Sequence, residues 1–158
     1  MKTDPAEITA MFETVSLGAP QHAVGFVMWR VVHRYQRAAD AALRDLGLTH
    51  LQFVTLALVA WLGRTGEAAT QADVARLGDI GTMQVSLMLK ALEAKHLVHR
   101  ERSPANAPAK QVTVTASGLA ALREAMPRLI EVQAKLFGAA GKPGGELLRM
   151  LNAIDASG

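Results

Sequence analysis

The sequence predicts a mainly α-helical (α+β) fold, with a helix-turn-helix and a β-hairpin set between long N- and C-terminal helices. Three observations predict it. No proline occurs between Pro20 and Pro104, and 28 of the 158 residues are alanine, which favours long helices. Two short helical segments, Thr70 to about Leu77 and about Thr82 to Lys95, are joined by the tight connection Gly78-Asp79-Ile80-Gly81. Two strand-like segments follow directly, 97–102 and 110–115, the second alternating with β-branched residues. A helix-turn-helix followed by a basic hairpin is a winged helix-turn-helix.

Taken in order, the elements justify themselves as follows. After the Gly18-Ala19-Pro20 break, Val24, Met28, Val31, Tyr35, Ala38, Ala42 and Leu46 recur every three or four residues, predicting one amphipathic helix over 21–46 that ends near Gly47. Its other faces carry Phe26 and Trp29 and a row of Arg30, Arg34, Arg37 and Arg44. A helix apolar on more than one face expects more than one packing partner, which points to a dimer. Thr49 opens a second helix to Leu62, stopped by Gly63 and Gly66. Thr70 and Asp73 have capping-box spacing, with Asp where Glu is usual. Ala75 is small where the two short helices cross, and Val74, Ile80, Val85, Met88, Leu89 and Leu92 supply their shared core. Pro104 and Pro108 exclude a two-residue hairpin, so 103–109 reads as a loop. Thr115 caps a long helix to Gly138, which Pro127 is expected to kink or interrupt. A glycine-rich joint, 138–145, precedes a final amphipathic helix with Leu147, Leu148, Met150, Leu151 and Ile154. The organisation expected is therefore a DNA-binding winged helix over 47–115, with 1–46 and 116–158 forming a helical dimerisation region.

Composition narrows the function classes. An apolar content of 50% with 20% charged residues excludes a disordered chain. The absence of cysteine removes disulfides, thiolate catalysis and Cys-based zinc sites. The N-terminal MKTDPAEITAMFE lacks the basic start and apolar run of a signal peptide, and the longest apolar stretch, Leu51 to Leu62, falls short of the roughly 20 residues of a membrane span. A cytoplasmic protein is expected. The net charge of +3 is unevenly placed: residues 76–110 hold six basic side chains (Arg76, Lys90, Lys95, Arg100, Arg102, Lys110) against three acidic ones (Asp79, Glu93, Glu101). The remainder is neutral, so the excess has the local distribution of a phosphate-binding surface. His96-x-x-His99 is the one close histidine pair; it straddles a helix end and a strand with no third ligand, so no metal site is expected. No nucleophile–base pair, phosphate-binding glycine loop or carboxylate pair stands out, and neither an enzyme nor a cofactor is expected.

With these elements in place, the order of segments and the string from Thr70 to Leu122 resemble the MarR (multiple antibiotic resistance regulator) family of dimeric winged-helix transcription factors. Leu48-Thr49-His50-Leu51-Gln52-Phe53, Leu92-Glu93-Ala94-Lys95-His96-Leu97-Val98 and Val112-Thr113-Val114-Thr115-Ala116-Ser117-Gly118 carry the likeness. The chain departs from the family pattern at three places. His96 stands where glycine is usual; a left-handed backbone there costs a histidine up to about 1 kcal/mol, or the helix takes another cap. Leu87 stands where an arginine is common. Asn106 and Pro108 replace the wing's Asp-x-Arg, and Lys110 restores charge but not a bidentate fork.

The resemblance implies a sequence-specific homodimer, a repressor, binding a pseudo-palindromic DNA operator. Its recognition helix would enter the major groove through Thr82, Met83, Gln84 and Ser86, with Lys90 one turn on. Gln84 suits adenine, Met83 a thymine methyl, and Lys90 guanine or phosphate. Arg76, Lys95, Arg100, Arg102 and Lys110 would take phosphates. A small aromatic or phenolic effector would bind near Trp29, Arg30, His33, Phe53 and Trp61, residues that serve equally well as core and dimer-interface side chains. The departures at Leu87 and Pro108 motivate an alternative, a winged-helix dimer with weak or lost DNA specificity acting as a protein-interaction or ligand-binding module.

Overall fold

The computed structural model describes residues 2–102 and 110–157. Two compact units divide the chain, Met1–Ala38 and Ala39–Gly158.

The first unit opens with a helix the sequence reading did not anticipate, α1 (Pro5–Val15). Its signal was present: the Asp4 carboxylate accepts from the Ala6 amide at 2.9 Å, and Pro5 sits in the first turn, where a missing N–H costs nothing. A 3₁₀ turn at Pro20–His22 leads into α2 (Val24–Leu43), which begins in this unit and ends in the next. The helix expected over 21–46 is thus shorter at both ends. Arg44–Leu46 tightens into a second 3₁₀ turn, closed by Gly47 at φ 66°.

The second unit holds the winged helix. Helix α3 (His50–Gly63) starts in a complete capping box between Thr49 and Gln52, and the His50 amide also donates to the Asp40 carboxylate at 2.6 Å. Strand β1 (Ala69–Thr70) passes into α4 (Gln71–Gly78), and α5 (Thr82–Ala94) follows. The Thr70–Asp73 box is complete in both directions, so aspartate substitutes for glutamate without loss. Strands β2 (Val98–Arg102) and β3 (Lys110–Val114) pair antiparallel, with β3 central in the order β1-β3-β2. The two-residue β1 was too short to show any alternation. Leu56, Val59, Val74, Val85, Leu89, Leu92, Val98 and Val112 are buried together with Leu122, Ala125 and Leu129. Ile80 and Met88, expected in that core, are only half-buried.

Helix α6 (Ala116–Phe137) begins at Thr115, whose hydroxyl accepts from the Gly118 amide, and runs unbroken through Pro127. The expected interruption does not occur. Pro127 lies on the exposed side, while buried Ala125 and Leu129 flank it and hold the helix to the core. A 3₁₀ turn, Gly138–Gly141, leads to α7 (Glu146–Asp155), which has no buried residue.

The end of α5 is a Schellman turn. The Leu97 amide donates to the Leu92 carbonyl at 3.0 Å and the His96 amide to the Glu93 carbonyl at 2.9 Å. His96 takes φ 58°, the left-handed conformation expected for it, and its carbonyl accepts from the Thr115 hydroxyl at 2.7 Å. Because its side chain is exposed, glycine would lose no packing there and would relieve the backbone strain. His96→Gly is therefore expected to raise stability by about 0.5–1 kcal/mol, read as a higher melting temperature; a lower one would show that the histidine ring holds the turn.

Candidate nucleic-acid interface

The helix-turn-helix presents one face of α5 outward. Val85, Leu89 and Leu92 are buried against the module, which leaves Thr82, Met83, Gln84, Leu87 and Lys90 exposed, with Ser86 at the margin. The turn that aims this helix rests on two close fits. Asp79 takes φ 48° at the end of α4, and a side chain at Gly78 would meet Leu58 and Ile80 at 2.7 and 2.8 Å. Every residue expected to read bases is thus on α5, and Leu87, which the family pattern would make arginine, stands among them as a bare apolar side chain.

The cations around this face fall into two groups. Lys95 reaches back from the end of α5, donating to the Gly47 carbonyl and to Gln52 Oε1 at 2.9 Å, so its ammonium ties α5 to the capping box of α3. Arg100 lies on the inner side of β2, with its side chain only 17% exposed, and both its Nε and Nη2 donate to Glu93 Oε2. Strand parity explains this: Val98 and Arg100 share the face that packs on α5, while His99 and Glu101 point out and pair with each other at 3.0 Å. The Arg100 guanidinium also holds the Glu93 carboxyl below the usual carboxylate range. Of these two cations, expected to meet phosphate, Arg100 has its charge matched by Glu93, and Lys95 donates to two neutral oxygens.

Arg76 differs. It pairs with Asp73 at 2.6 Å one turn away but stands largely in solvent. A surface pair of this kind is worth little, so the guanidinium is free to trade partners. The Asp73 carboxyl is held below its ordinary range first by the Thr70 hydroxyl, with Arg76 adding to it. Lys90 projects from the outward face of α5 itself. Arg102 and Lys110 are register partners at the loop end of the hairpin. Asn106 and Pro108 lie outside the described residues.

The residues expected to meet an effector separate into two sets. In the first unit, the Trp29 and His33 rings lie 4.2 Å apart and His33 Nδ1 donates to the Trp29 carbonyl at 2.7 Å; Arg30 sits 5.9 Å over the Phe26 ring. In the second, Phe53 is half-buried on α3, and exposed Trp61 carries the Arg64 guanidinium 3.7 Å above its ring. The Arg64 and Phe26 partners were missed, although (i, i+3) and (i, i+4) spacings on a helix announce both. Among the described residues, no cluster of three or more His, Asp or Glu could hold a metal ion, and no single helix is long and apolar enough to cross a membrane.

Known proteins agree with this geometry. A family model for the winged helix DNA-binding domain matches residues 48–118. The chain is 29% identical over 123 residues to YdcH of Bacillus subtilis (strain 168), an uncharacterized HTH-type transcriptional regulator, covering 78% of this chain and 84% of that protein. A MarR-family transcriptional regulator from Rhodococcus sp. RHA1 superposes with a TM-score of 0.74 at 23% identity, over 87% of this chain and 94% of that one. The Mycobacterium tuberculosis transcriptional regulator MosR, solved in complex with DNA, superposes with a TM-score of 0.69 at 27% identity, over 85% and 95% of the two chains. The chain thus carries a winged helix DNA-binding domain over residues 48–118 and shares its fold with solved transcriptional regulators of the MarR family.

Proposed function

We propose that the protein is a cytoplasmic homodimeric repressor that binds a pseudo-palindromic operator in duplex DNA and releases it when a small aromatic or phenolic ligand binds. One observation carries the DNA reading. The outward face of α5 keeps Thr82, Gln84 and Lys90 uncommitted within a matched winged helix, while neighbouring Lys95 and Arg100 are spent on holding that helix in place. Gln84 and Thr82 serve base edges, Ser86 and Lys90 the adjoining edge or phosphate, and Arg76, Arg102 and Lys110 the backbone. Lys95 and Arg100 act as braces.

Residues 1–46 and 116–158 supply the dimerisation region. Ile8, Met11, Phe12 and Val15 of α1 and Met150, Leu151 and Ile154 of α7 are all exposed, and apolar faces of this size mark an interaction surface. A second copy places two recognition helices about one turn of DNA apart. For the effector, the adjoining, mutually tilted rings of Trp29 and His33 offer an aromatic surface and Arg30 an anion partner.

Titration onto the protein's own promoter at several salt concentrations tests the reading. Tight binding with a steep salt slope that survives nonspecific competitor is expected, and Lys90→Ala should reduce the slope by about one counterion. Binding abolished by the competitor would contradict it.

A further inference from the structure

On the reading face of α5, the two most prominent side chains are apolar. Met83 is 81% exposed and Leu87 62% exposed, while the next apolar residues of the same helix, Val85 and Leu89, are fully buried. The exposure is therefore a property of the outward face, not of a loosely packed helix. Four residues apart, the two side chains lie on one face, about 6 Å apart along the axis. Thr82, Gln84 and Lys90 border them, so the face is an apolar pair inside a polar rim.

We propose that Met83 and Leu87 read DNA through thymine C5-methyl groups, so that each operator half-site carries two thymines about two base steps apart. The inference rests on the DNA-binding reading above and specifies its base preference. In the major groove, only thymine offers an apolar group; guanine, cytosine and adenine present donors and acceptors. A thioether or isobutyl group set against those edges would strip them of water without replacing a hydrogen bond. Against thymine it removes two apolar surfaces from water together. The spacing agrees: about 6 Å along the helix corresponds to roughly two steps of about 3.4 Å when the helix lies along the groove. Leu87, where the family pattern would place an arginine suited to guanine, thus exchanges a guanine preference for a thymine preference and retains specificity.

The experiment uses the full-length protein and a duplex it has selected from random DNA. Each thymine is replaced in turn by deoxyuracil, which deletes the methyl and leaves base pairing unchanged. Two positions per half-site are expected to cost about fourfold in affinity each. One of these penalties should vanish in Met83→Ala and the other in Leu87→Ala. Both side chains stand in solvent, so neither substitution empties a core site; unchanged thermal melting checks this. A selected duplex bound equally well with every thymine demethylated overturns the thymine reading and leaves the DNA-binding reading standing. Penalties that persist in both variants also overturn it. A protein that selects no duplex at all overturns the DNA-binding reading itself, and this inference with it.

Discussion

Gly118→Ala is expected to lower the melting temperature by roughly 6–12 °C, the fall that follows from a loss of about 3 kcal/mol in a domain of this size. Gly118 lies in the first turn of α6, where that helix crosses the start of the wing. A Cβ there would stand 2.0 Å from the Leu97 carbonyl oxygen and 2.9 Å from Val114 Cγ2. The carbonyl is fixed, because it accepts the Thr115 amide at 3.1 Å in the junction that launches α6. Neither strand end can retreat cheaply: Val98 is buried and pairs with Val114. Gly63→Ala is the matched control. It lies at the end of α3 with nothing within 4 Å of a built Cβ, so its melting temperature should hold or rise slightly. Thermal melting followed by circular dichroism reads both. A Gly118→Ala protein that melts within 2 °C of the parent would mean that α6 and the wing do not meet as described.

If the proposed homodimer uses α7, the double substitution Met150→Glu, Ile154→Glu is expected to yield a monomer and to weaken DNA binding by about 100-fold. The two residues stand four apart on one exposed face of α7. Two carboxylates on that face would have to be stripped of water without partners at each interface, which association cannot offset. The loss of DNA affinity then follows from arithmetic: two linked reading heads gain about 10²–10⁴ over one, without any new contact. Helix α7 has no buried residue, so the winged-helix core does not depend on it. Sedimentation velocity and anisotropy titration measure the two effects. A variant that stays dimeric would remove α7 from the interface.

Much of this fold could be read in the sequence because its signals are local. The Thr49 and Thr70 caps, Thr115 opening α6, the left-handed turn at His96 and the alternation of 110–114 depend on neighbours within a few residues, and each appears where expected. What was missed is short or tertiary. Strand β1 has two residues and exists through its pairing with Val112 and Gln111. Pro127 reads locally as a helix breaker, yet packing of Ala125 and Leu129 on either side carries α6 through it.

The candidate interface divides the same way. The family resemblance pointed to Thr82, Met83, Gln84 and Lys90, and all four are exposed on α5. Charge counting could not distinguish free cations from committed ones, because Lys95 finds Gln52 and Gly47 more than forty residues away in sequence. The pairing of Arg100 with Glu93 was legible in the sequence. With Val98 buried, strand parity alone turns Arg100 toward α5, where Glu93 waits at its last turn.

Selection of bound duplexes from random DNA by the full-length protein tests the central claim most directly. The account predicts enrichment of a pseudo-palindrome whose two half-sites are centred about one turn apart, roughly 10 base pairs. No enrichment over the starting pool, or enrichment of a single unpaired half-site, would contradict a homodimer that reads DNA through α5.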